Sequence, residues 1–550
     1  MINGALFRDA VISAAITINN KKRIVDELNV YPVPDGDTGT NMSMTIGNAV
    51  DVLERMPDNV PVSEVARVTA DALLRGARGN SGVILSLLFR GISKGLAGKS
   101  EAGCQDFASA LAIGVDSAYK AVMKPVEGTI LTVSRAVAEK AAESALSVSS
   151  DVLFWEDICS EAESVLAKTT DMLPQLKKAG VVDAGGMGFS IIIRAMSDVF
   201  AGGSIAESVF EKSAENNNDS FKTAVSQYDD DITYTYCTEF MLRKRDGCPD
   251  PFMLRAYLET IGDCVVLVDD DKIIKVHVHT DNPGNALQKA LEFGDFLNDP
   301  RPKIENMRIQ HENKVREAQE KQAGFTPAEP EKDFGFVAVA AGHGLVSLFT
   351  DLGADVVVKG GQTMNPSTDD ILRAILSTPA HNIFVLPNNK NIIMAAEQAV
   401  KLTDRNVCVL QTRTIPQGIS AMMAFDEYAD FPENRLNMTK SFEKVSTGLV
   451  TFSARDSEFD GHSIKEGEIL ALDNGKLAFT EKDISKATLK LVKKLVKSGA
   501  SYVTLIYGSD VTEESAEALH QLLESKLSDK IEVMLVNGGQ PVYYYIISVE

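Results

Sequence analysis

The rhythm of apolar residues changes twice along this chain, and that change limits its folds more than any single motif. Over residues 1–200 apolar side chains recur at three- and four-residue spacing, in stretches such as VPVSEVARVTADALLRGARG and DVLFWEDICSEAESVLAKTTDML. That spacing marks amphipathic helix, and period-two alternation is hard to find there. From residue 334 short apolar runs, FGFVAVAA, GADVVVKG, HNIFVLPN and RNVCVLQT, alternate with helical stretches. Buried apolar strands separated by helices imply a parallel sheet covered on both faces. Between the two lies a third pattern, TYTYCTEFML, DCVVLVDD and KIIKVHVHT, then a helical NPGNALQKALEFG, which reads as an α+β module.

A chain of 550 residues is too long for one core. The rhythm gives a multidomain protein: an all-helical domain over 1–201, a linker over 202–230 rich in Asn, Ser and Asp, an α+β middle domain over 231–312, a charged linker over 313–333, and an α/β domain over 334–550. After about residue 440 come two strands, a Lys-rich helix (483–498), then SYVTLIYG, another helix, IEVMLVNGG and VYYYIISV, which read as a second α/β lobe. No short-period repeat of the solenoid kind is present.

The net charge of −22 argues against a nucleic-acid partner, since that binding runs on clustered Lys and Arg. It does not exclude a nucleotide, whose charge a metal can balance. Six scattered cysteines suit a reducing compartment. The first residues lack a basic start, Arg8 and Asp9 break their apolar run, and no window reaches 18 apolar residues. A cytoplasmic protein with no transmembrane segment is expected.

The chemistry starts at NVYPVPDGDTGTNM, residues 29–42. A turn needs its glycine and proline; it does not need Asp35 and Asp37 two residues apart, followed by Thr38, Gly39, Thr40 and Asn41. Hard cations such as Mg²⁺ take one or two carboxylates plus phosphate oxygens. Gly36 and Pro34 permit the sharp turn that would bring both aspartates to one pocket. A surface turn with a helix cap is the plainer alternative. Three further loops place small polar residues before helices: RGARGNSGVILS (75–86) with Asn80 and Ser81, KPVEGTILTVSR (124–135) with Gly128 and Thr129, and AGVVDAGGMGFS (179–190) with Asp183. Helix starts of this kind hold phosphate. SKGLAGKS (93–100) only imitates a phosphate loop, because Ser93 stands where the pattern needs glycine.

Together PVPDGDTGTNM, RGARGNSG, KPVEGTILTV and VVDAGGMG resemble the nucleotide-binding domain of dihydroxyacetone kinases, and more closely the ATP-binding subunit of bacterial fatty acid kinase. The resemblance spans the chain in three parts. It implies an all-α helical barrel holding ATP and Mg²⁺ among the loops at one end. It assigns Asp35 and Asp37 as metal carboxylates, and puts Thr38, Gly39 and Asn41 where that loop meets phosphates. Asn80 and Ser81 match the second phosphate loop, and Gly128, Thr129 and Asp183 fall in the remaining nucleotide loops. A third aspartate expected upstream is absent, and Asn29 is the nearest oxygen donor.

In the middle domain, His277 and His279 alternate on one strand and so face one side, and with Cys237 they make a set that suits Zn²⁺. Hydrogen-bonded histidines on a half-exposed strand are the alternative. The resemblance implies a zinc role for the VHVHT element, with Glu239 a candidate fourth ligand; Cys248 and Cys264 read as packing residues. In the C-terminal domain VVVKGGQTMNPST (356–368) is a polar loop after a strand, with Asn365 and Ser367 opening a helix. Such loops bind ligands in α/β sheets, although a loop with a good helix cap is the plainer alternative. This module resembles the fold of the fatty-acid-binding partner and is expected to serve partner docking. His343 is a candidate only by its place in a loop.

A fatty acid carboxylate is already ionised at neutral pH and needs no general base as nucleophile. The first histidine of the chain is His277, so a helical site without histidine fits an acyl phosphate product. The resemblance implies a separate fatty-acid-binding protein that presents the substrate, and a homodimer is expected. The competing readings are a dihydroxyacetone-type kinase acting directly and a nucleotide-responsive scaffold without transfer activity.

Overall fold

A computed structural model describes residues 1–29, 36–122, 125–148, 150–207, 234–245, 247–269, 272–297, 302–306, 326–361, 364–453, 457–459, 462–465, 467–496, 500–528 and 530–550. The chain forms two compact units, one of residues 1–207 together with 327–550, the other of 208–326.

The amino-terminal part is helical, as its apolar period requires. Its elements are β1 (Ile2–Asn3), α1 (Gly4–Leu28), α2 (Thr38–Gly47), α3 (Val50–Glu54), α4 (Val62–Gly76), α5 (Gly79–Gly95), β2 (Glu101–Ala102), α6 (Cys104–Ala121), α7 (Ile130–Ser147), α8 (Asp151–Met172), α9 (Pro174–Ala179) and α10 (Ala184–Phe200). In α4 the buried Val62, Val65, Ala66, Thr69 and Leu73 form one stripe. Helix α10, apolar nearly all round, is buried against α1, α7 and α8. The neighbour order runs from α1 to α4, α5, α6 and α7, and returns through α10 to α1. Trp155 packs between Phe107 and Phe200, at ring separations of 5.3 and 4.7 Å. The SKGLAGKS stretch closes α5 rather than following a strand, so it has no phosphate-loop context.

The carboxyl-terminal part of the same unit begins with β8 (Lys332–Ala340), β9 (Val356–Lys359), β10 (Ala380–Leu386) and β11 (Asn406–Val409). They form one sheet in the order β11-β10-β8-β9, parallel throughout. Its central strands β8 and β10 are buried on both faces. Val337 and Val339 join the core of the helical part, while Phe336, Ala338 and Ala340 join a second core. The helices Thr368–Ser377 and Ile393–Val400 lie between this sheet and α4 and α5, so helical and α/β parts share one hydrophobic interior.

Beyond residue 440 the expectation needs correction. Five strands precede the helix Ile484–Leu495: β12 (Ser446–Phe452), β13 (Ser457–Phe459), β14 (His462–Ile464), β15 (Ile469–Asp473) and β16 (Lys476–Glu481). With β17 (Tyr502–Tyr507), β18 (Glu532–Asn537) and β19 (Tyr545–Val549), three of them build a mixed six-stranded sheet, β16-β15-β12-β19-β17-β18, in which only β17 and β18 are parallel. β13 and β14 pair separately. The β15–β16 turn is Asn474-Gly475 with φ of 50° and 79°, the left-handed pair that a two-residue hairpin needs.

The second unit is an α+β module. Among the described residues, β3 (Tyr236–Lys244), β4 (Gly262–Asp269), β5 (Ile273–Thr280), β6 (Gly294–Phe296) and β7 (Lys303–Asn306) form an antiparallel sheet, accompanied by the helices Pro251–Ile261 and Pro283–Ala290. Phe240, Leu242, Ile274, Val276 and Val278 supply its core.

Candidate nucleotide site

Four helices begin around one cavity of about 480 Å³. Its polar wall is Asn29 at the end of α1, Thr38 at the start of α2, Asn80 and Ser81 at the start of α5, Thr129 before α7, and Asp183 before α10. Ile84, Ile130, Leu173 and Leu176 line it with apolar surface, and Met394 reaches it from the carboxyl-terminal part. Helix starts carry unpaired N–H groups and partial positive charge, so four of them favour an anion between them. An apolar wall beside such a cradle is what a nucleotide base requires.

The acidic turn is held from two sides. Asp37 occupies the N-cap position of α2, yet its side chain makes no cap hydrogen bond. Asp26 of α1 does that work, accepting from the Thr40 N–H at 3.0 Å and the Thr40 hydroxyl at 2.8 Å. Burial pushes the Asp26 carboxyl above its ordinary range, while its hydrogen bonds to Thr40 and Gly39 pull the other way. Asp37 Oδ2 instead accepts from Asn365 Nδ2 at 2.7 Å. Asp35 lies outside the described residues.

Several of the expected contact residues also carry structural roles in their loops. Gly39 faces α1, where a Cβ would meet the Lys22 carbonyl oxygen at 2.2 Å. Asn41 is buried, and its amide packs against Gly79, whose φ is +57°. Gly128 has φ +86° and its N–H donates to Thr132 Oγ1 at 2.8 Å. Thr129 caps α7, accepting from the Leu131 N–H, and its hydroxyl donates to the Val126 carbonyl. Asp183 caps α10, accepting from the Gly186 N–H at 2.7 Å, and burial pushes its carboxyl up to about 6. Asn80 Oδ1 is buried without a hydrogen-bond partner. Orphaned buried acceptors are rare, and one at a cavity wall suits a cation or hydroxyl.

Sequence reasoning missed Asp26, which looked like any residue of a long helix, and Met394. It noted Asn365 only as a residue opening a helix. His343 starts the helix His343–Asp351 and lies against Gly539, away from the cavity lining.

In the second unit Cys237 pairs in register with His279, and Glu239 with His277. His279 Nδ1 lies 3.6 Å from Asp263 Oδ1. The His277 side chain is outside the described set, and among the described residues no three metal-binding side chains gather. No helix among the described residues is long and apolar enough to cross a membrane.

Comparison with known proteins agrees with this layout. Residues 32–198 match the DAK2 domain, 233–314 the middle domain of the FakA-like fatty acid kinase family, and 335–550 the carboxyl-terminal domain of that same family. Protein YloV of Bacillus subtilis is 40% identical over 557 residues, covering 100% of this chain and 99% of that protein. Protein SH1689 of Staphylococcus haemolyticus is 38% identical over 557 residues, with 100% and 99% covered. Among solved structures, the dihydroxyacetone kinase from C. freundii in complex with AMP-PNP and Mg²⁺ aligns with 35% of this chain and 34% of its own, at 16% identity and a TM-score of 0.28. The DegV family protein Cg2579 from Corynebacterium glutamicum aligns with 41% of this chain and 97% of its own, at 13% identity and a TM-score of 0.32.

Helix starts around a polar cavity, in a region matching the DAK2 domain, define a kinase-like protein. The chain belongs to the FakA-like fatty acid kinase family, with a DAK2 domain at its amino-terminal end.

Proposed function

We propose that this chain is the catalytic component of an ATP-dependent fatty acid kinase, moving the γ-phosphate of ATP to a fatty acid carboxylate to give an acyl phosphate for phospholipid synthesis. The observation that carries this reading is the convergence of four loops, far apart in sequence, on one cavity through Asn29, Thr38, Asn80, Ser81, Thr129 and Asp183. The closed neighbour order of the helices supports a barrel with this cavity at one end.

Magnesium fits the donors present. In the cavity wall Asn29 and Thr38 offer neutral oxygens and Asn80 Oδ1 is an acceptor left unmet by the protein, while Asp37, the N-cap residue next to Thr38, offers a carboxylate. Asp35 completes the set proposed from the sequence. When bound, the ion neutralises phosphate charge; the chain's own work is positioning. The helix starts hold the phosphates and the apolar wall holds the base. An ionised carboxylate acceptor asks for no general base. A soluble partner that carries the acyl chain to the site is part of the proposal, as are a homodimer and a cytoplasmic location. A zinc role for Cys237, His277 and His279 is also proposed, from the cross-strand pairing of Cys237 with His279.

The test is ATP-dependent phosphorylation of a long-chain fatty acid, with and without a fatty-acid-binding protein, by wild type and Asp37→Ala. Transfer that needs the binding protein and vanishes in Asp37→Ala supports the proposal. Transfer to dihydroxyacetone without any second protein replaces it with a direct small-molecule kinase. ATP binding with no transfer to either acceptor replaces it with a scaffold.

A further inference from the structure

The carboxyl-terminal part reaches into the acidic turn. Asn365, from the loop after β9, is 3% exposed and donates its amide N–H to Asp37 Oδ2 at 2.7 Å, across 328 residues of sequence. Its own main chain is clamped, because the Arg78 guanidinium donates to the Asn365 carbonyl at 2.7 Å. Arg78 also lies 3.6 Å from Asp370 of the helix that follows. Beside it the Thr368 N–H donates to the Ala77 carbonyl at 3.1 Å, and Ser367 caps its helix in a reciprocal box with Asp370. The loop that ends α4 and begins α5 is thus joined to the Asn365 loop by main-chain and side-chain bonds.

We propose that Asn365 is a positioning residue of the phosphotransfer site, holding the Asp37 carboxylate for a magnesium-bound nucleotide; this rests on the kinase reading above. The geometry divides the labour at the start of α2. An aspartate at an N-cap ordinarily turns back to its own helix. Asp26 has taken that task through Thr40, and Asn365 holds Asp37 in its other orientation. A carboxylate can accept an amide N–H and still serve a cation, since its two oxygens offer about four lone-pair sites. A donor on one oxygen fixes the group's rotation and leaves its charge intact. Outer partners of this kind orient metal ligands, and losing one typically costs about 10–100-fold in metal affinity or activity. The carboxyl-terminal module is therefore a component of the nucleotide site.

The experiment follows a fluorescent ATP analogue by anisotropy, titrated with Mg²⁺, on the full chain. Asn365→Ala is expected to raise the half-saturating Mg²⁺ concentration by about 10–100-fold, with nucleotide still bound at saturating Mg²⁺. Asn365→Asp keeps the shape, removes the donor and sets a like charge against Asp37, so its shift is larger. Arg373→Ala, on the helix after the loop, leaves the titration unchanged. Should the alanine variant fail to fold, the isosteric Asn365→Asp reads the same quantity. Both Asn365 variants titrating as wild type, while Asp37→Ala shifts, would overturn the proposal and leave the kinase reading standing. A lowered melting temperature with an unchanged titration would make the contact purely structural and also overturn it. A wild-type chain that binds no nucleotide in a Mg²⁺-dependent way removes both readings.

Discussion

Asp26 and Thr40, fourteen residues apart on successive helices, are joined twice: the Asp26 carboxylate accepts from the Thr40 N–H at 3.0 Å and from its hydroxyl at 2.8 Å. One helix therefore caps the next, and Asp37 is released from that task. Asp26→Ala is expected to cost about 1–2 kcal/mol, the usual loss of a helix cap. Asp26→Asn should cost less, since burial already works against the charge of Asp26 and the amide oxygen can still accept from Thr40. Thermal or urea unfolding of the two variants checks the order; equal losses would make the charge itself the stabilising element.

Gly39 sits in the phosphate-binding pattern, yet its surroundings give it a packing reason. A Cβ there would lie 2.2 Å from the Lys22 carbonyl oxygen and 2.9 Å from the Val25 Cβ, so α2 would have to move off α1. Gly39→Ala is expected to destabilise by about 1–3 kcal/mol, the range for overpacking. Gly47→Ala is the control. Nothing lies within 4 Å of a Cβ at that position, and alanine is the better helix former. A Gly39→Ala chain that melts with wild type but binds nucleotide poorly would point to a direct phosphate role instead.

Asn80 presents the opposite case. Its Oδ1 is buried and unmet, and its Nδ2 makes only a long 3.5 Å contact to Asn391. An unmet buried acceptor costs about 1–3 kcal/mol, so Asn80→Ala should leave the empty protein as stable as wild type or more so. Nucleotide affinity should nevertheless fall about tenfold, the value of one lost hydrogen bond from a ligand hydroxyl to Oδ1. Unfolding without ligand and titration with an ATP analogue separate the two effects. Lost stability with retained affinity would mark Asn80 as a structural residue.

Local pattern carried much of this architecture and long-range contact carried the rest. The helical period of residues 1–200 and the apolar strands at 334–409 were legible because burial on one or both faces writes itself into spacing. The strands after residue 440 were undercounted, although Asn474-Gly475 between apolar runs was a hairpin signal in the sequence. Thr38, Asn80, Ser81, Thr129 and Asp183 could be singled out because each adjoins a helix start, and Asn29 as the nearest oxygen donor upstream of the aspartate pair; the structure brings them to one cavity. Asp26 gave no local sign, since its partner lies on another helix. The Asn365–Asp37 bond was hidden for the same reason, its two ends separated by most of the chain.

Asp183 should leave a mark on the pH dependence of stability. Burial pushes its carboxyl up from 3.8 to about 6, and the N–H groups of Gly186 and Ile130 offset only part of that. The native state then holds this proton more tightly than the unfolded chain does. The associated stability is fully present below about pH 4 and is lost as pH rises through about 6. At pH 7.5 the ionised carboxylate is a cost carried by the fold, at most about 3 kcal/mol for a shift of this size. Asp183→Asn keeps an oxygen acceptor for the Gly186 N–H and removes the charge. It is expected to unfold at higher temperature than wild type at pH 7.5, with the advantage shrinking toward zero at pH 4. Urea unfolding of both proteins across that range makes the comparison. A difference that stays constant with pH would mean that Asp183 titrates as it does in the unfolded chain, and the burial argument would fail with it.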